Sequence, residues 1–267
     1  MSGKLIFVDV DDTLFDKPSL SVPDSARKGL QKAQANGHKI FINTGRPYSY
    51  IEDELKDIGF DGILCSNGLD LHIDGKTVFH QALPEEARLQ LRDLALKYNV
   101  TGSLQGCDCV YFRDKDASFH SYYATLLHDF ARNPQMPHVH SWDNIGAFEK
   151  GIFFAGNNSD MPGFVAAVDA LDYEFNCLRI DDTQYEILQK GYDKGTALLY
   201  AADYYHKTAT DCYAFGDSNN DAEMLQTAGY GIAMGNSCEE LKELADYVTT
   251  DITEDGIYNA LMHFKLI

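Results

Sequence analysis

The chain has 267 residues, which is enough for one large domain or two domains of moderate size. Its hydrophobic content of 45% is that of an ordinary globular protein. The formal net charge of -19 makes nucleic acid and anionic membrane surfaces poor partners, because such a surface repels phosphate groups. A phosphorylated small molecule would meet the same repulsion unless a cation reverses the charge locally.

Neither a membrane span nor an export signal is expected. A bilayer-crossing helix needs about 18 or more apolar residues in a row, and no segment has them. The apolar run "LIFV" near the N-terminus is too short for a signal peptide. The six cysteines are scattered, and we interpret them as reduced thiols of a cytoplasmic protein. Neither Cys107-Asp-Cys109 nor His138-Val-His140 has the usual spacing of zinc ligands.

Strand-like and helix-like segments alternate at both ends of the chain. The predicted elements are a strand at 4–10, a helix at 23–36, a strand at 38–44, a helix at 47–58 and a strand at 62–68, and then helices at 194–205 and 221–228 with strands at 212–217, 230–236 and 246–250. This alternation predicts an α/β fold, with a Rossmann-like parallel sheet that is covered by helices on both faces.

The middle of the chain has a different pattern. It predicts helices at 84–98, 118–131 and 160–171, and strands at 101–105, 108–113, 150–157, 175–180 and 184–189. Strands that follow one another in pairs indicate an antiparallel sheet with one covered face. We therefore predict an α+β cap domain at 83–185, inserted into a core domain that is made of 1–82 and 186–267.

Polar residues gather where the predicted parallel strands end, which is the edge at which open α/β sheets bind ligands. In chain order they are Asp9, Asp11, Thr13, Thr44, Gly45, Arg46, Asn67, Gly68, Asp217, Asn220 and Asp221, and Lys194 begins a predicted helix. The carboxylates would repel one another in a packed core unless cations lie among them.

These residue types suit phosphoryl transfer through an aspartyl phosphate. A carboxylate can act as the nucleophile. A second carboxyl group two positions along the strand can protonate the leaving alcohol and later deprotonate the attacking water. A threonine hydroxyl and a lysine ammonium group can hold the transferring phosphoryl oxygens. Oxygen ligands from Asp9 and Asp217 suit Mg²⁺, which would offset the charge of the clustered carboxylates.

The sequence resembles the haloacid dehalogenase-type phosphatase superfamily, and within it the Cof-like group with a large inserted cap of the C2 type. The family signature Asp-x-Asp-x-Thr falls on Asp9, Asp11 and Thr13, and the Thr-Gly-Arg of the group falls on Thr44, Gly45 and Arg46. The family lysine falls on Lys194, and Gly-Asp-x-x-Asn-Asp falls on Gly216, Asp217, Asn220 and Asp221. Asp12 departs from the pattern, because many relatives have glycine at that position.

The combined interpretation assigns a role to each of these residues. The predicted catalytic residues are Asp9, Asp11, Thr44 and Lys194; the predicted metal ligands are Asp9, Asp11, Asp217 and Asp221; and the predicted substrate contacts are Thr44, Gly45, Arg46, Asn67, Lys194 and Asn220. Three of these residues keep a second interpretation. Asp221 can cap the helix that follows it, Arg46 can be a surface ion-pair partner, and Asn67 can serve a turn.

The predicted function is a magnesium-dependent phosphatase that acts on a small phosphorylated metabolite such as a sugar phosphate. The large cap favours small substrates, because a lid over the nucleophile would not admit a folded protein. The alternative enzyme is a phosphomutase of the same superfamily, and the non-enzymatic alternatives are a receiver-type signalling module and a metabolite-binding protein. Neither the oligomeric state nor the identity of the phosphate ester can be predicted from the sequence.

Overall fold

The structure is a computed structural model that describes residues 3–113 and 120–267. The chain forms two compact units. Residues up to 46, 53–80 and 192–267 make the first, which we call the core unit, and 47–52 and 81–191 make the second, which we call the inserted unit. The division after residue 191 lies beyond the predicted boundary at 185, because the strand that spans Gln184–Gln189 pairs within the sheet of the inserted unit.

The elements of the described residues follow in chain order. The strands are β1 (Leu5–Val8), β2 (Lys39–Asn43), β3 (Gly62–Cys65), β4 (Asp70–Ile73), β5 (Lys76–His80), β6 (Thr101–Gln105), β7 (Val110–Phe112), β8 (His138–Val139), β9 (Lys150–Phe154), β10 (Phe175–Arg179), β11 (Gln184–Gln189), β12 (Cys212–Gly216), β13 (Tyr230–Ala233) and β14 (Tyr247–Val248). The α-helices are α1 (Asp24–Ala35), α2 (Asp53–Lys56), α3 (Glu85–Lys97), α4 (Ser121–Arg132), α5 (Met161–Asp169), α6 (Lys194–Tyr204), α7 (Ala222–Thr227), α8 (Glu239–Leu244) and α9 (Gly256–His263). Among these helices, none combines the length and the apolar character that crossing a bilayer requires.

The sheet of the core unit has the strand order β14-β13-β12-β1-β2-β3-β4-β5. Strands β14 to β3 pair in parallel, which confirms the predicted Rossmann-like sheet. All four residues of β1 are buried, as expected for a central strand with helices on both faces. Phe7 stacks on Phe41 at 4.8 Å in one apolar cluster, which also contains Leu198 of α6.

An antiparallel hairpin of β4 and β5 extends this sheet beyond β3, and the sequence interpretation did not include it. The two strands are joined by Asp74 and Gly75, which both have positive φ. An Asp-Gly pair between two strand-like runs is the usual sign of a two-residue hairpin turn. The signal was therefore present in "LHIDGKTVF".

The predicted helix at 47–58 is wrong over most of its length. The chain forms a single 3₁₀ turn at Tyr48–Tyr50, and only Asp53–Lys56 is α-helical. The reason is tertiary, because Ser49 donates its hydroxyl proton to the Gly106 carbonyl at 2.6 Å. Tyr50 likewise donates to Asp129 at 2.7 Å. These bonds hold 47–52 within the inserted unit and prevent a continuous helix.

The sheet of the inserted unit has the order β10-β11-β9-β6-β7-β8 and is antiparallel except for the β7–β8 pair. One face carries Phe153 of β9 and packs against α3 and α5 through Leu91 and Phe164. The prediction of a single covered face is incomplete, because Ile152 and Phe154 point the other way and pack against α4. Helix α4 begins at Ser121, and positions 118–119 of the predicted helix lie outside the described residues.

Candidate active site

The predicted site residues of the core unit converge on the carboxyl edge of its parallel strands. Asp9 directly follows β1, Thr44 follows β2, and Asp217 follows β12. These three strands are neighbours in the sheet, in the order β12-β1-β2, and they run in the same direction. Adjacent parallel strands therefore bring residues from widely separated positions in the sequence to one edge.

Lys194 is held at this edge by the start of α6. The helix is capped by Asp193, whose side chain accepts a hydrogen bond from the Thr196 backbone at 2.7 Å. The Lys194 carbonyl accepts a hydrogen bond from the Asn43 side-chain amide at 2.7 Å. Helix capping and the Asn43 contact together fix where the Lys194 side chain leaves the backbone.

The Lys194 ammonium group is fully engaged by acceptors of the site. Its Nζ lies 2.7 Å from Asp9, 2.6 Å from Asp221 and 3.4 Å from the Asn220 side-chain oxygen. Lys194 is only 1% exposed, so these acceptors replace water. A buried ammonium group requires such partners, because an unpaired charge in the interior is costly.

Three carboxylates share this space. Asp9, Asp217 and Asp221 each offer an oxygen, and these oxygens all lie within 4.8 Å of one another. Asp221 is the most constrained, because it accepts hydrogen bonds from the backbone N–H groups of Asp217 and Ser218 at 3.0 and 3.1 Å. Thr13 donates its hydroxyl proton to Asp217 at 2.9 Å and so orients that carboxylate.

Burial and crowding shift the pKa values of these groups. Burial raises the pKa of Asp9 above its ordinary value, although the Lys194 ammonium opposes the shift. Burial, together with the nearby Asp221 charge, raises the pKa of Asp217 to about 7. Burial alone would lower the pKa of Lys194, but the Asp221 and Asp9 carboxylates outweigh it and raise that pKa.

The donor set fits a divalent cation. Three carboxylates face one ammonium group, so the cluster is short of positive charge. The neighbouring carboxylates add to the effect of burial, which is the main cause of the raised pKa values of Asp9 and Asp217. A hard cation such as Mg²⁺ is bound by carboxylate oxygens and retains several waters. Asp9, Asp217 and Asp221 are therefore the residues that could hold it.

Asp11 lies outside this carboxylate cluster and is paired with arginine. Arg46 Nε donates to Asp11 Oδ2 at 3.0 Å, and Arg46 Nη2 donates to Oδ1 at 2.8 Å. Burial would raise the pKa of Asp11, but the Arg46 guanidinium overcomes this and holds it well below its usual range. Lys17 adds a second cation, with Nζ 3.6 Å from Asp11 and 3.1 Å from Asp12.

Thr44, Gly45 and Asn67 form the second side of the site. The Thr44 hydroxyl oxygen accepts a hydrogen bond from the Arg46 N–H at 3.1 Å, and the Thr44 carbonyl accepts one from the Asn67 N–H at 3.2 Å. Asn67 has a positive φ of 53°, which agrees with its interpretation as a turn residue. Gly68 follows with φ of 90°, and a Cβ there would lie 2.7 Å from the Asp193 carbonyl oxygen.

Three residues near the site had no assigned role in the sequence interpretation. Thr13 orients Asp217, Asn43 holds Lys194, and Lys17 pairs with Asp11. Thr13 belongs to the quoted signature, and its hydroxyl could have been expected to bond within the site. The sequence does not indicate a role for Asn43 at the site, because this residue is only the last position of a predicted apolar strand.

Asp12 has φ of 59°, a left-handed conformation that favours glycine. This explains why relatives can have glycine there. Aspartate tolerates this conformation better than most residues. The Asp12 carbonyl accepts a hydrogen bond from the Asn236 side chain at 2.8 Å, which ties the turn to the region after β13.

Comparison with known proteins adds a family assignment to this geometry. The sequence model of the haloacid dehalogenase-like hydrolase family matches residues 6–261. A 5-amino-6-(5-phospho-D-ribitylamino)uracil phosphatase of Bacillus subtilis (strain 168), YitU, is 29% identical, with 97% of each chain covered. The pyridoxal phosphate phosphatase YbhA of Escherichia coli (strain K12) is 27% identical, with 96% of this chain and 97% of that protein covered. The solved structure of a HAD subclass IIB sugar phosphatase, BT4131, superposes with a TM-score of 0.81 at 26% identity and covers 99% of this chain and 100% of that one.

Proposed function

Because the chain belongs to the haloacid dehalogenase-like hydrolase family and is a phosphatase, we propose that it hydrolyses a small phosphorylated metabolite through an aspartyl phosphate on Asp9, with Mg²⁺ as cofactor. The observation that carries this proposal is the position of Lys194 between Asp9 and Asp221, with Asp217 beside them. A buried nucleophilic carboxylate with an ammonium group at 2.7 Å is suited to receive a group that bears negative charge.

In the first displacement, an Asp9 oxygen attacks phosphorus and the bond from phosphorus to the leaving oxygen breaks. Asp11 supplies the proton that converts the leaving alkoxide into an alcohol. Lys194 and the Thr44 hydroxyl stabilise the charge on the transferring oxygens. In the second displacement, Asp11 takes a proton from water, the water oxygen attacks phosphorus, and Asp9 leaves as a free carboxylate with inorganic phosphate as product.

Asp9 and Asp217 would hold the Mg²⁺ ion, and Asp221 lies next to them. Asp11 is the fourth metal ligand that the sequence predicts. When bound, the ion neutralises part of the charge that the phosphate and the carboxylates share. Thr13 keeps the Asp217 carboxylate oriented for this task through its 2.9 Å hydrogen bond.

The substrate class is part of the same proposal. The names of similar proteins refer to phosphate esters of small molecules: a ribitylaminouracil phosphate, pyridoxal phosphate and a sugar phosphate. We infer that this chain also cleaves a small polar phosphomonoester and that the inserted unit selects it. In the core unit, the candidate substrate contacts are Arg46, Gly45, Asn67 and Asn220. A cytoplasmic location completes the proposal, supported by the six cysteines, all of which are free thiols.

The direct test is phosphate release from a panel of phosphorylated metabolites, with Mg²⁺, with excess chelator, and with Ca²⁺ in place of Mg²⁺. We expect turnover of a few related esters with Mg²⁺, loss in chelator, and weak activity with Ca²⁺, whose longer and looser coordination misplaces the nucleophile. The Asp9→Asn variant is the matched control and should be inactive under every condition. Full activity in chelator would contradict the metal assignment.

A further inference from the structure

Asp11 is held by an ion pair that occupies both of its oxygens. The Arg46 guanidinium contacts Oδ2 through Nε at 3.0 Å and Oδ1 through Nη2 at 2.8 Å. A two-point contact of this kind fixes the plane of the carboxylate as well as its position. Lysine cannot reproduce it, because an ammonium group lacks the planar fork.

Arg46 is itself fixed by three elements of the core unit. Its N–H donates to the Thr44 hydroxyl oxygen at 3.1 Å, and its carbonyl accepts a hydrogen bond from the Ser66 N–H at 2.9 Å. Its guanidinium carbon lies 5.6 Å from the centre of the Phe15 ring. The residue is 7% exposed, so this arrangement is set by the protein and not by solvent.

The chain enters the inserted unit immediately after this residue. Pro47–Glu52 belongs to that unit, while Arg46 is the last residue of its core-unit segment. Within the inserted unit, the Tyr50 hydroxyl donates to Asp129 at 2.7 Å and the Tyr50 ring lies 4.9 Å from that of Phe130. Tyr50, which is anchored within the inserted unit, therefore lies only four residues along the chain from Arg46.

We propose that Arg46 is a positioning residue for Asp11, and that the anchorage of 47–52 in the inserted unit helps the core contacts to hold Arg46 in place. The inference rests on the proposed function, in which Asp11 is the acid and base. For Asp11 to act as the acid, one of its oxygens must carry a proton, so the Arg46 contact with that oxygen must open while the other contact keeps the carboxyl group oriented. The inserted unit thereby influences proton transfer as well as substrate choice.

The first experiment measures kcat and KM for Arg46→Lys and Arg46→Met with an alkyl phosphate and with nitrophenyl phosphate. The alkyl ester needs a proton on its leaving oxygen, whereas nitrophenolate leaves without one. We expect kcat for the alkyl ester to fall about 100-fold in Arg46→Met, within the usual range of acid–base assistance, and less in Arg46→Lys. In a single turnover, nitrophenolate release should fall much less than kcat for the alkyl ester, because the first displacement of nitrophenolate needs no proton from Asp11. An increase of KM for both esters, with the same loss of rate for both leaving groups, would show that Arg46 acts only as a substrate contact and would overturn the positioning role.

The second experiment tests the anchor without touching the ion pair. Tyr50→Phe keeps the ring and removes the hydrogen bond to Asp129. We expect a threefold to tenfold lower kcat for the alkyl ester, about the contribution of one hydrogen bond, and a smaller change in single-turnover nitrophenolate release. Tyr185→Phe is the matched control, because no hydrogen bond from the Tyr185 hydroxyl is found among the described residues of the same unit. It should behave as the parent protein.

A double-mutant cycle then links the two residues. Tyr50→Phe should cost nothing further in the Arg46→Met background, because the anchor acts through the guanidinium. Equal effects of Tyr50→Phe in both backgrounds, or no effect in the parent, would contradict the link. Failure of the proposed function has a different outcome, since Asp9→Asn would then still turn over both esters.

Discussion

The site contains a cluster of charges in which each charge is affected by its neighbours. Its members are Asp9, Asp217, Asp221 and Lys194. The ammonium group contacts Asp9 and Asp221, and Thr13 and two backbone N–H groups orient the remaining oxygens. Removing one member leaves its partners buried and unpaired, which is the costly condition for an ion pair in an interior. The site is therefore expected to be sensitive to pH and to metal in stability as well as in activity.

The pH dependence follows from Asp217, whose pKa rises from an ordinary value of 3.8 to about 7 in the folded protein without metal. Between those two values the folded state binds more protons than the unfolded state. The contribution of Asp217 to stability is therefore present at low pH and is lost as the pH rises toward about 7. Thermal unfolding in chelator should thus show a steeper fall of Tm between about pH 4 and pH 7 in the parent than in Asp217→Asn. Parallel profiles for the two proteins would contradict the shift.

The positions of the candidate catalytic residues Asp9, Thr44 and Lys194 could be predicted from the sequence because each directly follows a strand or begins a helix. Adjacent parallel strands bring Asp9, Thr44 and Asp217 to one edge whatever the details of packing. The ion pair of Arg46 with Asp11 could not be predicted, because it depends on the direction of a long side chain from a different strand end. The same holds for Asn43, whose amide reaches the Lys194 carbonyl across 151 positions of the sequence.

At the level of elements, the start of α6 is set by a close approach of the turn that follows β3. Gly68 has φ of 90°, and a Cβ there would lie 2.7 Å from the carbonyl oxygen of Asp193, the residue that caps α6. Any larger side chain must push this carbonyl away. Lys194 is the next residue, so the displacement would reach the ammonium group that contacts Asp9 and Asp221.

We therefore expect Gly68→Ala to lower both stability and kcat. The positive φ alone costs about 1–2 kcal/mol for a residue with a Cβ. Gly59→Ala is the matched control, because Gly59 has φ of 81° but no atom within 4 Å of the position of its Cβ. Denaturant unfolding should show a loss in both variants, whereas phosphate release should fall only in Gly68→Ala. Equal activity of the two variants would show that the approach of Gly68 to Asp193 does not position Lys194.

Two element predictions failed, and both failures have physical reasons. The helix at 47–58 has suitable helix formers in "EDELK", but the contacts of Ser49 and Tyr50 within the inserted unit outweigh local propensity. The β4–β5 hairpin was missed although its Asp74-Gly75 turn is a strong local signal. The contacts of Ser49 and Tyr50 depend on the tertiary structure and cannot be predicted from the local sequence. The Asp74-Gly75 turn, by contrast, can be predicted from it.

At the scale of the whole molecule, the candidate chemistry lies within the core unit, and 81–191 forms a unit with its own apolar clusters. We expect that replacing 81–191 by a Gly/Ser linker leaves slow, magnesium-dependent hydrolysis of nitrophenyl phosphate. Discrimination among natural phosphate esters should fall strongly, because the selecting side chains are gone. A second trimmed protein should also replace Tyr50 and Ile51 by polar residues, because these two buried side chains belong to the inserted unit and would remain after 81–191 is removed. A trimmed protein that is folded by circular dichroism and keeps the parent's ranking of substrates would place specificity in the core unit.

The central claim is that Asp9 carries the phosphoryl group, and trapping the covalent intermediate tests it most directly. In Asp11→Asn, Asp9 can still attack nitrophenyl phosphate, but the base for the second displacement is missing, so the intermediate should accumulate. After an acid quench and proteolysis, mass spectrometry should find one phosphoryl group on the peptide that contains Asp9, and none in the Asp9→Asn, Asp11→Asn double variant. A phosphoryl group on any other residue, or nitrophenolate release at the parent's rate from Asp9→Asn, would contradict the account.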